Sequence, residues 1–167
     1  MSCISKNEIR RLILEKNLIS DYLDLETQLQ PNGFDCTLKK IGKIRGEGRI
    51  DFDNTARLIP EVREIEFRNE WIYLEKGYYR VFLNEIVKIP ENMMALARPR
   101  SSLVRAGANI LTAVWDAGYE GRSEAGLVVY NEDGLWLRKN SRIVQLVFFT
   151  LDSQTESYRG IFKGENM

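Results

Sequence analysis

From about residue 34 onward the chain consists of short β-prone runs cut apart by turn residues, and that punctuation limits the fold more than any other feature. The runs are "FDCTLKKI", "EIEFR", "WIYLEKGYYRVFLNEIVKI", "MMALARP", "ANILTAVWD", "EAGLVVYN", "LWLRK" and "RIVQLVFFT". Most are rich in branched and aromatic residues, and several alternate apolar with polar positions as strands do. A parallel sheet needs a long crossover, usually a helix, between successive strands. No helical period returns in this region, so the expected fold is mainly β: an antiparallel sandwich, barrel or jelly roll. The glycines of "EKGYY" and "NEDGL" predict hairpin turns, the second through its Asp-Gly pair.

One helix is predicted ahead of the strands. Ser5 and Glu8 have the spacing of a capping box, and Ile9, Leu12 and Ile13 fall on one apolar face. This short N-terminal helix is expected to cover one end of a single domain spanning residues 1–167. The last stretch, 152–167, includes the polar, glycine-spaced "SYRGIFKGENM" and is expected to be a mobile tail.

Charge and composition narrow the chemistry. Lys plus Arg equals Asp plus Glu at 24 each, so no global positive field draws the chain to nucleic acid, although a local cluster could hold a small anion. No run is apolar enough for a secretion signal or a membrane span, and a soluble, cytoplasmic protein is expected. The chain has no histidine. That excludes Ser-His-Asp and Cys-His nucleophilic schemes and leaves carboxylate, arginine, hydroxyl and backbone chemistry. Cys3 and Cys36 are too few for a disulfide framework or a zinc motif, and read as inert thiols.

The residues able to do chemistry concentrate in "ARPRSSLVRAGANILTAVWDAGYEG", residues 97–121. Arg100, Ser101, Ser102 and Arg105 combine guanidinium forks with hydroxyls, a mixture suited to phosphate or carboxylate oxygens. A polar turn with surface arginines would read the same. Asp116 stands three residues before Tyr119 in a glycine-bounded turn, where backbone can approach a ligand closely. Asp-x-Gly is also ordinary turn chemistry.

Four segments taken together resemble the family of deoxyuridine triphosphatases (dUTPases) and deoxycytidine triphosphate (dCTP) deaminases. They are Gly33-Phe34-Asp35, Pro99 to Leu103, Asp116 to Gly121 and Arg142 to Leu146, in the family's order and at compatible distances. The resemblance covers most of the chain and is nearest the monofunctional dUTP diphosphatase branch of archaeal type. It implies a distorted jelly-roll or β-barrel of the trimeric dUTPase type, active sites between subunits, and Mg²⁺ held through the nucleotide's phosphates. No residue is implied as a direct metal ligand, although Asp35 could reach the ion through water.

For the hydrolase branch the resemblance implies that Asp116 activates water for attack on the α-phosphorus of dUTP, releasing dUMP and pyrophosphate. Ser101, the backbone at Ser102 and Gln145 would contact phosphates, and Arg100 and Arg105 would supply charge or brace the site. Arg100 could instead pair with an acidic neighbour such as Asp116. Tyr119 would lie under the deoxyribose, and base choice would come from main-chain groups near Ile110 and Leu111. Arg159 and Phe162 would serve a shortened C-terminal lid, reaching the γ-phosphate and the base.

The deaminase branch matches Ser101, Arg105 and Thr112-Ala113, but it needs a glutamate on the strand after the Asp-x-Gly turn. Counting places that position at Gly126 or Val128, neither of which can transfer a proton, with Glu124 as a displaced substitute. Hydrolysis is the expected reaction. A dCTP deaminase, alone or combined with the hydrolase, and a catalytically silent nucleotide-binding trimer are the competing readings.

Overall fold

The computed structural model describes residues 2–167. The elements run β1 (Ser2–Cys3), α1 (Lys6–Lys16), β2 (Ile19–Ser20), α2 (Leu25–Gln28), β3 (Leu29–Gln30), β4 (Gly33–Arg45), β5 (Glu61–Glu64) and β6 (Trp71–Leu74). They continue with β7 (Gly77–Lys88), β8 (Met93–Pro99), α3 (Ser101–Arg105), β9 (Ala108–Leu111), β10 (Glu120–Val129), β11 (Leu135–Arg138) and β12 (Arg142–Thr150). The mainly-β expectation holds, and the N-terminal helix is present.

The main sheet has the order β1-β12-β4-β7-β10-β9, with β8 also paired to β12. Every pairing in it is antiparallel. β4 holds it together: its first residues pair with β12 and its later ones with β7 and β5. The sheet curls until Trp115, in the loop after β9, bridges Ala95 of β8. The result is the distorted jelly-roll half-barrel that the resemblance implied. Among the described residues no helix is long and apolar enough to cross a membrane.

Two predicted hairpins are not hairpins. β6 pairs with β11 in a separate two-stranded sheet, whereas β7 and β10 pair with each other in the main one. The turns at "EKG" and "NEDG" are therefore corners where the chain changes sheets. Gly134 still needs its left-handed backbone, at φ +71°, but turn chemistry does not say which strands the turn joins. The run "EIEFR" is also displaced, since β5 forms four residues over Glu61–Glu64.

The α1 cap forms in half. Ser5 Oγ accepts the Glu8 N–H at 3.4 Å, while the Glu8 carboxylate turns to Arg11 at 2.6 Å. A guanidinium three residues on offers a charged donor, stronger than a neutral backbone N–H. Ile9, Leu12 and Ile13 are buried as predicted, and the helix packs on β3 and β4. Cys3 is exposed, Cys36 is buried, and both are free.

Period-two alternation along β7 buries Tyr79, Val81, Leu83, Glu85 and Val87 on one face. Glu85 is thereby driven into the core at 0% exposure. Its carboxylate accepts hydrogen bonds from Thr37 N at 2.9 Å, Thr37 Oγ1 at 2.6 Å and Gln28 Nε2 at 2.7 Å. This network ties β7 to β4 and α2, as a buried polar group requires partners.

Candidate active site

Asp116, Tyr119, Leu111 and Phe162 line one cleft of about 490 Å³ with Trp115, Ser123 and Glu124. Its floor is formed by β10, where Glu124 and Gly126 alternate with core residues Ala125 and Leu127. β9 and β7 flank that face: Gly126 pairs with Leu111 on one side and Arg80 on the other.

Asp116 enters from the turn after Trp115 and is exposed. Its backbone oxygen accepts the Tyr119 N–H at 3.1 Å and closes the turn. Gly118 makes the turn feasible at φ +75°, and a Cβ there would fall 1.9 Å from Ser157 Oγ of the tail. Arg100 does not pair with Asp116; its Nε lies 2.9 Å from Asp35 Oδ2.

Tyr119 is 6% exposed and stands in a directed chain of hydrogen bonds. Trp115 Nε1 donates to Ser123 Oγ at 2.7 Å, Ser123 Oγ and Tyr119 Oη are 2.9 Å apart, and Tyr119 Oη donates to Glu165 Oε1 at 2.7 Å. The last bond leaves the tyrosine oxygen to accept from Ser123, which in turn accepts from the indole. Burial pushes the Tyr119 hydroxyl well above its usual pKa and raises that of Glu165. The ring is held by its polar tip as well as by packing, with the Tyr158 ring edge-on at 5.9 Å.

The C-terminal segment lies along this cleft. Tyr158 N donates to Ala117 O at 2.7 Å, Gly164 N to Glu120 O at 2.7 Å, and Arg122 N to Glu165 O at 2.9 Å. Phe162 lines the cleft, but Arg159 is exposed and does not. Asn166 Nδ2 donates to Glu124 Oε1 at 3.0 Å, and Arg80 Nε pairs with Glu124 Oε2 at 3.1 Å. Both oxygens of the substitute glutamate are thus engaged.

The phosphate-binding candidates sit apart. Arg100, Ser101, Ser102, Arg105 and Gln145 do not line the cleft. Ser101, Ser102 and Arg105 lie exposed on α3, and Gln145 stands beside Asp35 across the β12–β4 pair. Asp35 is 1% exposed, and its Oδ2 is shared by Arg100 at 2.9 Å and Arg142 at 3.3 Å. Burial raises its pKa while the two guanidiniums pull the other way. The residue that could have reached an ion through water is instead an internal brace. Gly33 permits this, because a Cβ there would lie 2.2 Å from Leu146 O of β12. The Ile110 side chain is 5% exposed in the core, and alternation gives the cleft the side chain of Leu111, which leaves the expected main-chain role of this segment untouched.

Sequence reasoning missed Ser123, Glu165, Tyr78 and Arg80. Glu165 in "KGENM" looks like any solvated tail residue, and only the docked tail brings it to Tyr119. Among the described residues no three His, Cys, Asp or Glu gather into a set able to hold a metal ion.

Residues 3–151 match the family described as dCTP deaminase-like. A protein of Archaeoglobus fulgidus named probable deoxyuridine 5'-triphosphate nucleotidohydrolase is 59% identical over 167 residues, covering 100% of this chain and 99% of that one. A Methanocaldococcus jannaschii protein named deoxyuridine 5'-triphosphate nucleotidohydrolase is 41% identical over 157 residues, 92% of this chain and 99% of its own. Among solved structures, the dCTP deaminase of Agrobacterium tumefaciens superposes with a TM-score of 0.69 at 25% identity, over 87% of this chain and 46% of that one. With a match along nearly its whole length and full-length relatives at this identity, the chain belongs to the dCTP deaminase-like family.

Proposed function

We propose that this chain is a dUTP diphosphatase that hydrolyses dUTP to dUMP and pyrophosphate. The observation that carries the reading is the lining of the cleft: Asp116 offers a carboxylate with no ion pair among the described residues, Gly126 offers nothing that could move a proton at a cytosine ring, and both oxygens of Glu124 are engaged by Arg80 and Asn166. The relatives named as dUTP nucleotidohydrolases support the same substrate.

In this mechanism Asp116 accepts a hydrogen bond from water and orients it for in-line attack on the α-phosphorus. Tyr119, fixed by Ser123 and Glu165, packs against the deoxyribose where a 2′-hydroxyl would clash. Main-chain groups of the Leu111–Trp115 loop read the edge of uracil. Ser101, the Ser102 backbone and Gln145 bind phosphate oxygens, with Arg100, Arg105 and Arg159 adding positive charge. Mg²⁺, carried by the phosphates, would neutralise charge on the departing pyrophosphate.

A single chain does not unite these parts, since its phosphate-binding residues do not line its own cleft. A homotrimer in which one subunit's α3 and β12 face the next subunit's cleft would unite them, each interface repeating the same contact. Sedimentation equilibrium should give three chains per particle.

The direct test is product analysis with dUTP and dCTP. Pyrophosphate and dUMP are expected from dUTP, and no ammonia from dCTP. Ammonia release would move the assignment to a deaminase and turn attention to Glu124.

Tyr119 gives a second test. Tyr119→Ala should raise the specificity constant for UTP relative to dUTP by roughly tenfold or more, the order expected when a fitted pocket wall is lost. An unchanged ratio would make Tyr119 ordinary core.

A further inference from the structure

Gly126 lies at the middle of the cleft floor, and its backbone is not left-handed. Nothing in its conformation requires glycine. The space above it does: a Cβ would stand 2.4 Å from Tyr78 Oη and 2.9 Å from both Cε2 and Cζ of that ring. Tyr78 is paired with Val128 on the β7–β10 ladder, so its side chain leans diagonally across the glycine. This is the close approach that a missing side chain on a strand allows.

Tyr78 is 47% exposed and lines the cleft. Beside it, Arg80 is anchored by Glu124 and by Pro60 O at 3.2 Å. Across Gly126, Leu111 of β9 forms the facing side. A planar ring entering this cleft therefore meets Leu111 on one side and, on the other, the Tyr78 ring that already covers Gly126.

We propose that Tyr78 is a specificity-determining residue of the base pocket: its ring, seated on Gly126, is the wall that leaves room for uracil and none for a 5-methyl pyrimidine. The proposal rests on the reading of this cleft as the site for the base of dUTP. Thymidine triphosphate (dTTP) differs from dUTP by that methyl group alone, so hydrogen bonding to the other ring edges cannot separate the two. Only a steric wall can, and one methyl-sized group in a fitted pocket is worth roughly 10 to 200-fold in specificity.

Gly126 supplies an independent handle on the same wall. The atoms that a Cβ at 126 would meet are the far end of the Tyr78 side chain, which can rotate away without moving the strand. Gly126→Ala should therefore displace the ring and reproduce the effect of deleting it.

The experiment measures kcat/KM for dUTP and dTTP on the parent protein, Tyr78→Ala, Tyr78→Phe, Gly126→Ala and the Tyr78→Ala/Gly126→Ala double variant. The dTTP-to-dUTP ratio is expected to rise about tenfold or more in Tyr78→Ala and Gly126→Ala. It should stay at the parent value in Tyr78→Phe, which keeps the ring. The double variant should match the single ones, because both substitutions remove one wall and cannot add. A ratio unmoved in both Tyr78→Ala and Gly126→Ala, with dUTP still turned over, overturns the proposal. Independent, additive effects would overturn the shared-wall account. A parent protein inactive on dUTP would instead overturn the proposed function on which the inference stands.

Discussion

Asp116→Asn should slow turnover of dUTP by roughly 10² to 10⁴-fold, the range for loss of a general base. Asparagine keeps nearly the same shape but cannot accept a proton. Among the described residues the Asp116 carboxylate has no ion pair, and the turn is closed by its backbone oxygen, so the substitution leaves the loop intact. Binding should survive, because the groups assigned to the phosphates, sugar and base are other residues. Turnover measured beside equilibrium binding of a non-hydrolysable dUTP analogue separates the two. Near-normal turnover would reduce Asp116 to turn chemistry. Equal loss of binding and turnover would make it a positioning group.

The second large effect concerns stability. Glu85→Ala should destabilise the fold by about 3 to 5 kcal/mol, since each buried donor left without an acceptor costs about 1 to 3 kcal/mol and a cavity opens beside it. The donors are Thr37 N–H, Thr37 O–H and the Gln28 amide, all in the core. Glu85→Gln should cost less, because it keeps the volume and one acceptor oxygen. Urea unfolding of the three proteins provides the comparison, and an alanine variant within about 1 kcal/mol of the parent would show that water replaces the carboxylate.

The same residue predicts a pH dependence. Burial raises the Glu85 carboxyl pKa against the pull of its hydrogen bonds. A carboxyl whose pKa is higher folded than unfolded contributes its stability in full below the unfolded value, about 4.3. It loses that contribution as pH rises through the folded value. Glutamine does not titrate, so the stability gap between parent and Glu85→Gln should be larger at about pH 4 than at about pH 7. A gap that widens with pH would reverse the sign.

Much of the candidate site was legible because it is local. Asp116, Gly118 and Tyr119 fall within one turn, and the chemistry of that turn is set by neighbouring residues. The absence of histidine removed whole classes of mechanism without reference to structure. The α1 face was equally legible, since Ile9, Leu12 and Ile13 are neighbours at i, i+3 and i+4, about one turn apart. By contrast, nothing near Glu85 in the sequence announces Gln28 or Thr37, which are 57 and 48 residues away. Glu165 is 46 residues from Tyr119.

The two misread turns show where local reasoning stops. "EKG" and "NEDG" do turn the chain, yet β6 finds β11 and β7 finds β10. Register is no more local: between Arg122 and Glu124 the partner on β7 moves from Ile86 to Phe82, an irregularity in the ladder that no count along β10 reveals.

By itself the sequence determined a mainly-β chain with one capped helix, no histidine-based chemistry, and a carboxylate in a glycine turn. Those follow from periodicity, composition and nearest neighbours. Tertiary structure alone decided that Glu85 is a core acceptor, that Asp35 is a brace, that the tail fastens Tyr119, and that Tyr78 covers Gly126. Each depends on which distant strands pair and in what register. That choice comes from burying the whole apolar surface at once, so no segment read alone contains it.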